Sequence, residues 1–113
     1  MADVQFSSRM DGGFCVLSVI GSIDAHSAPL FEKQLKGSLG KSKRIILDME
    51  KLDYIATAGL GVLIASFNEI KGGGGALVVA GLQDKIKKVF DTMGFSRVLN
   101  LASSVEEAKR VLK

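Results

Sequence analysis

The sequence predicts one α/β domain over residues 1–113, built on a mixed, mostly parallel sheet with an N-terminal antiparallel hairpin and about four helices. Three observations carry that expectation. Short apolar runs of strand length (residues 14–20, 45–47 and 76–80) alternate with stretches whose apolar side chains recur every three or four positions. Only Asp11-Gly12-Gly13 separates the first two strand-like runs, and so tight a turn pairs them antiparallel. From there strands and helices take turns, which is the pattern of parallel strands joined by helical crossovers.

Taken in order, residues 4–9 alternate loosely (Val4, Phe6, Ser8) and residues 14–20, FCVLSVI, read as a strand buried on both faces. Gly21-Ser22-Ile23-Asp24-Ala25-His26 is a loop, after which Ser27 is placed to cap a helix beginning at Ala28, with Pro29 in its first turn. Phe31, Leu35 and Leu39 lie four apart on its inner face, and Gly40 ends it. Residues 44–48 form the next strand. A short loop then leads to Thr57 and a long helix carrying Leu60, Leu63, Ile64, Phe67 and Ile70. Gly72-Gly73-Gly74-Gly75 terminates that helix. The run follows a helix and precedes a strand, with no Lys-Ser/Thr after it, so it reads as a turn rather than a phosphate-binding loop. Residues 76–80 make a short buried strand. Residues 83–93 make a helix with Ile86, Val89, Phe90 and Met93 inward and Lys85, Lys87 and Lys88 outward. Val98-Leu99-Asn100 is expected as a short edge strand. Ser104-Val105-Glu106-Glu107 is a capping box for a last helix with Val105, Ala108, Val111 and Leu112 inward.

Composition narrows the function. A 113-residue chain with 47% hydrophobic residues and a mean hydropathy of +0.27 has enough apolar mass for one core. Its apolar runs stay far short of the roughly 20 residues that span a bilayer. The N-terminal MADVQFSSRMDGG has neither a basic start nor an apolar h-region, so a cytoplasmic protein without membrane attachment is expected. One Cys and one His cannot assemble a multi-ligand metal site, and Cys15, inside a strand, is expected as a buried thiol. The formal charge of +3 is spread out, apart from Lys41-Ser42-Lys43-Arg44 and Lys85 to Lys88, and there is no Trp. Direct nucleic-acid binding is not expected from such a surface. No nucleophile elbow, Walker or other catalytic motif is present, so a self-contained enzyme is not expected, and no cofactor is called for.

The chemistry that remains centres on Thr57, at a strand-to-helix turn. As a structural residue, Thr57 would be the N-cap, its oxygen accepting a bond from a backbone N–H two or three residues on. As a functional residue, its hydroxyl could carry a phosphate at the positive end of a helix dipole. Nearly two negative charges would then appear on a surface of small and apolar residues (Ile55, Ala56, Ala58, Gly59, Leu60). Asp24 follows a strand expected to run parallel to the one before Thr57, so both fall at one end of the sheet. The lone His26 reads as an exposed loop residue.

Asp53-Tyr54-Ile55-Ala56-Thr57-Ala58-Gly59-Leu60-Gly61-Val62-Leu63, after the strand end Ile46-Leu47-Asp48, resembles the STAS domain, the sulfate transporter and anti-sigma factor antagonist family. Gly21-Ser22-Ile23-Asp24 is similar to that family's Gly-x-Leu/Ile-Asp element, and the resemblance runs over essentially the whole chain. For a domain standing alone, it implies a bacterial anti-sigma factor antagonist. Such a protein binds, when unphosphorylated, an anti-sigma factor that is also a serine-threonine kinase, and so frees a sigma factor. Phosphorylation breaks the complex, and a PP2C-type phosphatase restores it. The resemblance places the phosphoacceptor at Thr57 and partner contacts at Asp24, Ala56, Ala58, Gly59 and Leu60. Two residues depart from the usual pattern: Ala56 stands where these antagonists often carry Asp, and the acceptor is Thr rather than the commoner Ser. A STAS scaffold whose Thr57 only caps, and a nucleotide- or anion-sensing STAS domain, are the alternatives.

Overall fold

A computed structural model describes residues 3–112. The elements follow in the order β1 (Val4–Asp11), β2 (Phe14–Ile23), α1 (Ala28–Leu39), β3 (Arg44–Asp48), β4 (Leu52–Ile55), α2 (Thr57–Gly72), β5 (Ala76–Ala80), α3 (Asp84–Thr92), α4 (Phe95–Val98), β6 (Asn100–Ala102) and α5 (Val105–Val111). The sheet runs β1-β2-β3-β5-β6, with only β1 antiparallel, and β4 pairs in parallel with the end of β2. Loops after β2, β3, β4, β5 and β6 therefore open at one end of the sheet, where open α/β sheets carry their sites.

Strand alternation divides the core into two layers. Leu17, Val19, Ile45, Leu47, Leu77 and Val79 face α1, α2 and α3, and are packed with Phe31, Leu35, Leu60, Leu63, Phe67, Ile86 and Phe90. Val16, Ile46, Val78 and Ala80 point the other way, against Ala108 of α5 with Val105 and Leu112 beside it. Cys15 is buried within β2, as its position predicts.

The fold departs from the sequence expectation in several places, beginning with β2, which continues through Gly21 to Ile23 where a loop was expected. The segment before Thr57 contains a strand, β4, rather than a loop alone. Its Leu52 and Ile55 are buried while Asp53 and Tyr54 are exposed, so it lacks strict alternation. It forms because β2 outlasts β3 and offers Gly21 to Ile23 as a partner. The last strand is shifted to Asn100–Ala102, because a single helical turn, α4, occupies Phe95–Val98 after Gly94 turns left-handed at φ 77°. Only Ile86 and Phe90 of α3 are buried, whereas Val89 and Met93 are 41% and 49% exposed. The nine-residue α3 docks along a single i, i+4 line, too narrow a stripe to bury them. Likewise Val111 of α5 is exposed.

Candidate functional site

Ile23 and Ile55 are parallel partners at the ends of β2 and β4, and the Ala56 N–H donates to the Ile23 carbonyl at 2.8 Å. The two chain segments leaving this pair are Asp24 to Ser27 and Ala56 to Leu60. Asp24 and Thr57 are thus brought to one spot by backbone pairing, as the sequence led us to expect.

Two glycines make this junction possible. Gly21 has φ 103°, and a Cβ there would lie 2.1 Å from the Asp3 carbonyl oxygen; the register of β2 with β4 shifts at this point. A side chain at Gly21 is excluded on both counts. Gly59, in the first turn of α2, lies directly on the paired isoleucines: a Cβ would come 2.8 Å from both Ile23 Cγ2 and Ile55 Cγ1. The missing side chain lets the helix start sit down on the two strand ends.

The helix start itself is not as expected. Its N-cap is Ala56, in an extended conformation (φ −78°, ψ 165°), and Thr57 is the first helical residue. Thr57 therefore does not cap α2. Among the described residues its exposed hydroxyl makes no hydrogen bond, and no side chain caps the helix at all. The first N–H to find a carbonyl is that of Leu60, bonded to Ala56 at 3.0 Å. The N–H groups of Thr57, Ala58 and Gly59 ahead of it form the positive end of a 16-residue helix dipole.

Asp24 replaces the expected cap of α1. Its Oδ1 accepts the Ser27 N–H at 2.9 Å, the His26 N–H at 3.0 Å and the Ser27 hydroxyl at 3.0 Å. Ser27 is buried and turned the other way, its Oγ accepting the Asp24 N–H at 2.8 Å instead of capping the helix. Bonds from the Ser27 backbone and hydroxyl, then from His26, hold the Asp24 carboxyl below its ordinary value. Asp24 is ionised at neutral pH, and among the described residues its second oxygen is left without a partner. His26 is exposed, as expected of a loop histidine.

Around Thr57 the sequence-predicted contact residues separate into two groups. Ala58 is exposed and Ala56 half-buried, so both offer surface. Gly59 and Leu60 are buried; they shape the site from beneath. Two residues the sequence reading passed over, Gly61 and Ala65, continue the exposed line from Thr57 at i+4 and i+8. The helical period held the signal: once Leu60, Leu63 and Phe67 face the core, 57, 58, 61 and 65 must face out. No charged residue occurs between Thr57 and Asn68. The hydroxyl thus stands at the head of a smooth, uncharged helix face, with an anionic Asp24 loop alongside.

Comparison with known proteins places the fold. The STAS domain model matches residues 5–108, and the chain belongs to the STAS domain family. Among named relatives, the anti-sigma-B factor antagonist of Bacillus subtilis is 24% identical over 90 residues, covering 80% of this chain and 83% of that one. The crystal structure of an anti-sigma factor antagonist from Mycobacterium paratuberculosis superposes with a TM-score of 0.89 at 18% identity, covering 97% of this chain and 94% of that one. The Bacillus cell fate determinant SpoIIAA in its phosphorylated form has the same fold, with a TM-score of 0.71 at 21% identity over 95% of this chain and 99% of that one.

Proposed function

We propose that this chain is an anti-sigma factor antagonist acting by binding rather than catalysis, in the cytoplasm, with Thr57 as its phosphorylation switch. One observation carries the reading. The Thr57 hydroxyl is exposed and uncommitted, one residue inside a helix start whose backbone donors are unused. A hydroxyl spent on capping would be shielded from a kinase; this one is presented.

The unphosphorylated face suits a protein partner. Thr57, Ala58, Gly61 and Ala65 offer no long side chain to immobilise and no charge to desolvate, which keeps the cost of docking low. The second oxygen of Asp24 supplies an acceptor for a donor on the partner. The partner on this reading is an anti-sigma factor with serine-threonine kinase activity, and binding it frees a sigma factor.

Phosphorylation of Thr57 has opposite effects on the fold and on the complex. Within the chain, a phosphate carrying about −1.5 to −2 charges lies near the free N–H groups of α2, an interaction worth about 0.3–1 kcal/mol. Against a docked partner, the same charge must be stripped of water beside the Asp24 carboxylate. The chain stays folded and the complex separates. A PP2C-type phosphatase restores the binding form.

Ala56 supports a second reading, in which the chain binds without being switched, because the acid often found there in such antagonists is missing. Capture of partners from the source cell separates the two. On the leading reading Thr57→Glu lowers affinity for the captured kinase roughly tenfold or more, while Thr57→Ala retains it. Equal binding by both variants would favour the unswitched scaffold.

A further inference from the structure

We propose that β1 is a self-association edge, across which a second copy of this chain pairs antiparallel to extend the sheet. The proposal rests on the sheet and is independent of the Thr57 reading.

The two edges of the sheet differ. β6 is three residues long, too short to template another strand. β1 is eight residues long, pairs with β2 in unbroken register, and contains no proline. Short length, bulges, proline and charged side chains are the usual ways of blunting an edge, and of these β1 carries only the charges of Arg9 and Asp11. Helix α1 packs over β2 and β3 and touches β1 through Phe31 on Phe6, and α5 packs over β3, β5 and β6 and touches β1 through Lys109 on Asp11; among the described residues no strand pairs with the outer edge of β1.

The hydrogen-bond phase of β1 follows from its pairing. The Ser22 N–H donates to the Asp3 carbonyl at 3.0 Å, while the Gly21 N–H, opposite Val4, turns away to Lys51. In an antiparallel ladder bonded and non-bonded pairs alternate. Asp3, Gln5, Ser7 and Arg9 therefore bond β2, and Val4, Phe6, Ser8 and Met10 point their N–H and C=O groups outward. The backbone allows a two-fold axis through Phe6 or through Ser7, but an axis through Ser7 would set Asp3 opposite Asp11. Centred on Phe6, the axis sets Phe6 opposite Phe6, Val4 opposite Ser8, Gln5 opposite Ser7 and Asp3 opposite Arg9. About six ladder bonds form. The two Asp3–Arg9 pairs fall at non-bonded positions, where facing side chains are closest, and Asp3 and Arg9 are both exposed. This complementarity selects a second copy as the occupant: the same strand supplies both signs in the register its own backbone allows.

Sedimentation velocity of the full chain over a concentration series tests this. A dimer is expected at the upper concentrations. Ser8→Pro removes an outward N–H that β2 does not use, and should abolish the dimer with the circular dichroism spectrum unchanged. Arg9→Asp places like charges opposite Asp3 and should weaken the dimer roughly tenfold, and Asp3→Lys added to it should restore the wild-type constant. A monomer at every concentration overturns the proposal. So does a dimer that survives Ser8→Pro, or one whose constant the charge reversal and its rescue leave unmoved. Binding of unrelated extended peptides to β1 without self-association would also overturn it.

Discussion

Gly59 and Gly61 stand two residues apart in the same helix, and their replacement by alanine should move stability in opposite directions. Alanine gains about 1 kcal/mol over glycine in a helix interior, because less backbone freedom is lost on folding. At Gly61 a Cβ meets nothing within 4 Å, so most of that gain is realised. A stabilisation of about 0.5–1 kcal/mol should raise Tm by roughly 2–6 °C for a domain of this size. At Gly59 the Cβ would lie 2.8 Å from Ile23 Cγ2 and Ile55 Cγ1. Both atoms are bonded directly to branched β-carbons, so neither can swing away without leaving its rotamer. Overpacking of this kind costs about 1–3 kcal/mol, which offsets the helical gain and leaves a net loss of about 0–2 kcal/mol. Urea denaturation followed by circular dichroism measures both changes, with unchanged m-values showing that the unfolded state is unaltered. Equal stabilisation by the two substitutions would refute the close contact between the α2 start and the strand ends. Gly61→Ala also has a functional consequence. If the exposed face of α2 docks the partner, this variant is more stable than the parent yet binds more weakly, because nothing in the fold requires a bare position there.

Three further outcomes follow from the same geometry. Ala56→Asp supplies the missing cap and a charge at the positive end of α2, so thermal unfolding should show a gain of about 1 kcal/mol. Thr57→Ala removes no cap and should change stability by less than about 0.5 kcal/mol in the same assay, where loss of a true cap costs about 1 kcal/mol. The Asp24 carboxyl is held below 3.8, so its stabilising contribution is present above that value and is lost as pH falls through its lower native value. Carbon-13 titration of the side chain should place its midpoint below 3.8, and Ser27→Ala should move it upward; a midpoint unaffected by Ser27→Ala would contradict the loop geometry.

Much of this architecture is legible in the sequence because it is written in local periodicity. Phe31 and Leu35, Ile86 and Phe90, and Leu60, Leu63 and Phe67 mark the inner faces of α1, α3 and α2, and all of them are buried. The Ser104–Glu107 capping box forms as well: Ser104 Oγ accepts the Glu107 N–H at 3.1 Å, though the Glu107 carboxylate reaches the Ser103 N–H rather than closing on Ser104. What the sequence did not disclose depends on partners distant in the chain. β4 exists because β2 extends past β3, which no pattern within Leu52–Ile55 reveals. The start of α2 is fixed by the Ala56 N–H bonding to Ile23, which puts Thr57 inside the helix rather than at its cap. A local rule that favours Thr as a cap has no access to that bond. Apolar residues also overstate burial at the surface, as Val89, Met93 and Val111 illustrate. At the site, parallel strands alone put Asp24 and Thr57 at one end of the sheet, but their direct approach comes from the pairing of β4 with the end of β2. The packing role of Gly59 needed the positions of Ile23 and Ile55.

The central claim concerns the Thr57 hydroxyl, and locating phosphate on the chain tests it most directly. The purified protein is incubated with the kinase captured from the source cell and ATP, and is then mapped by tandem mass spectrometry. The account predicts a single phosphate on Thr57, absent from Thr57→Ala, with the phosphorylated chain folded and released from the kinase. Phosphate found only on another residue, or a phosphorylated Thr57 that leaves the complex intact, would contradict it.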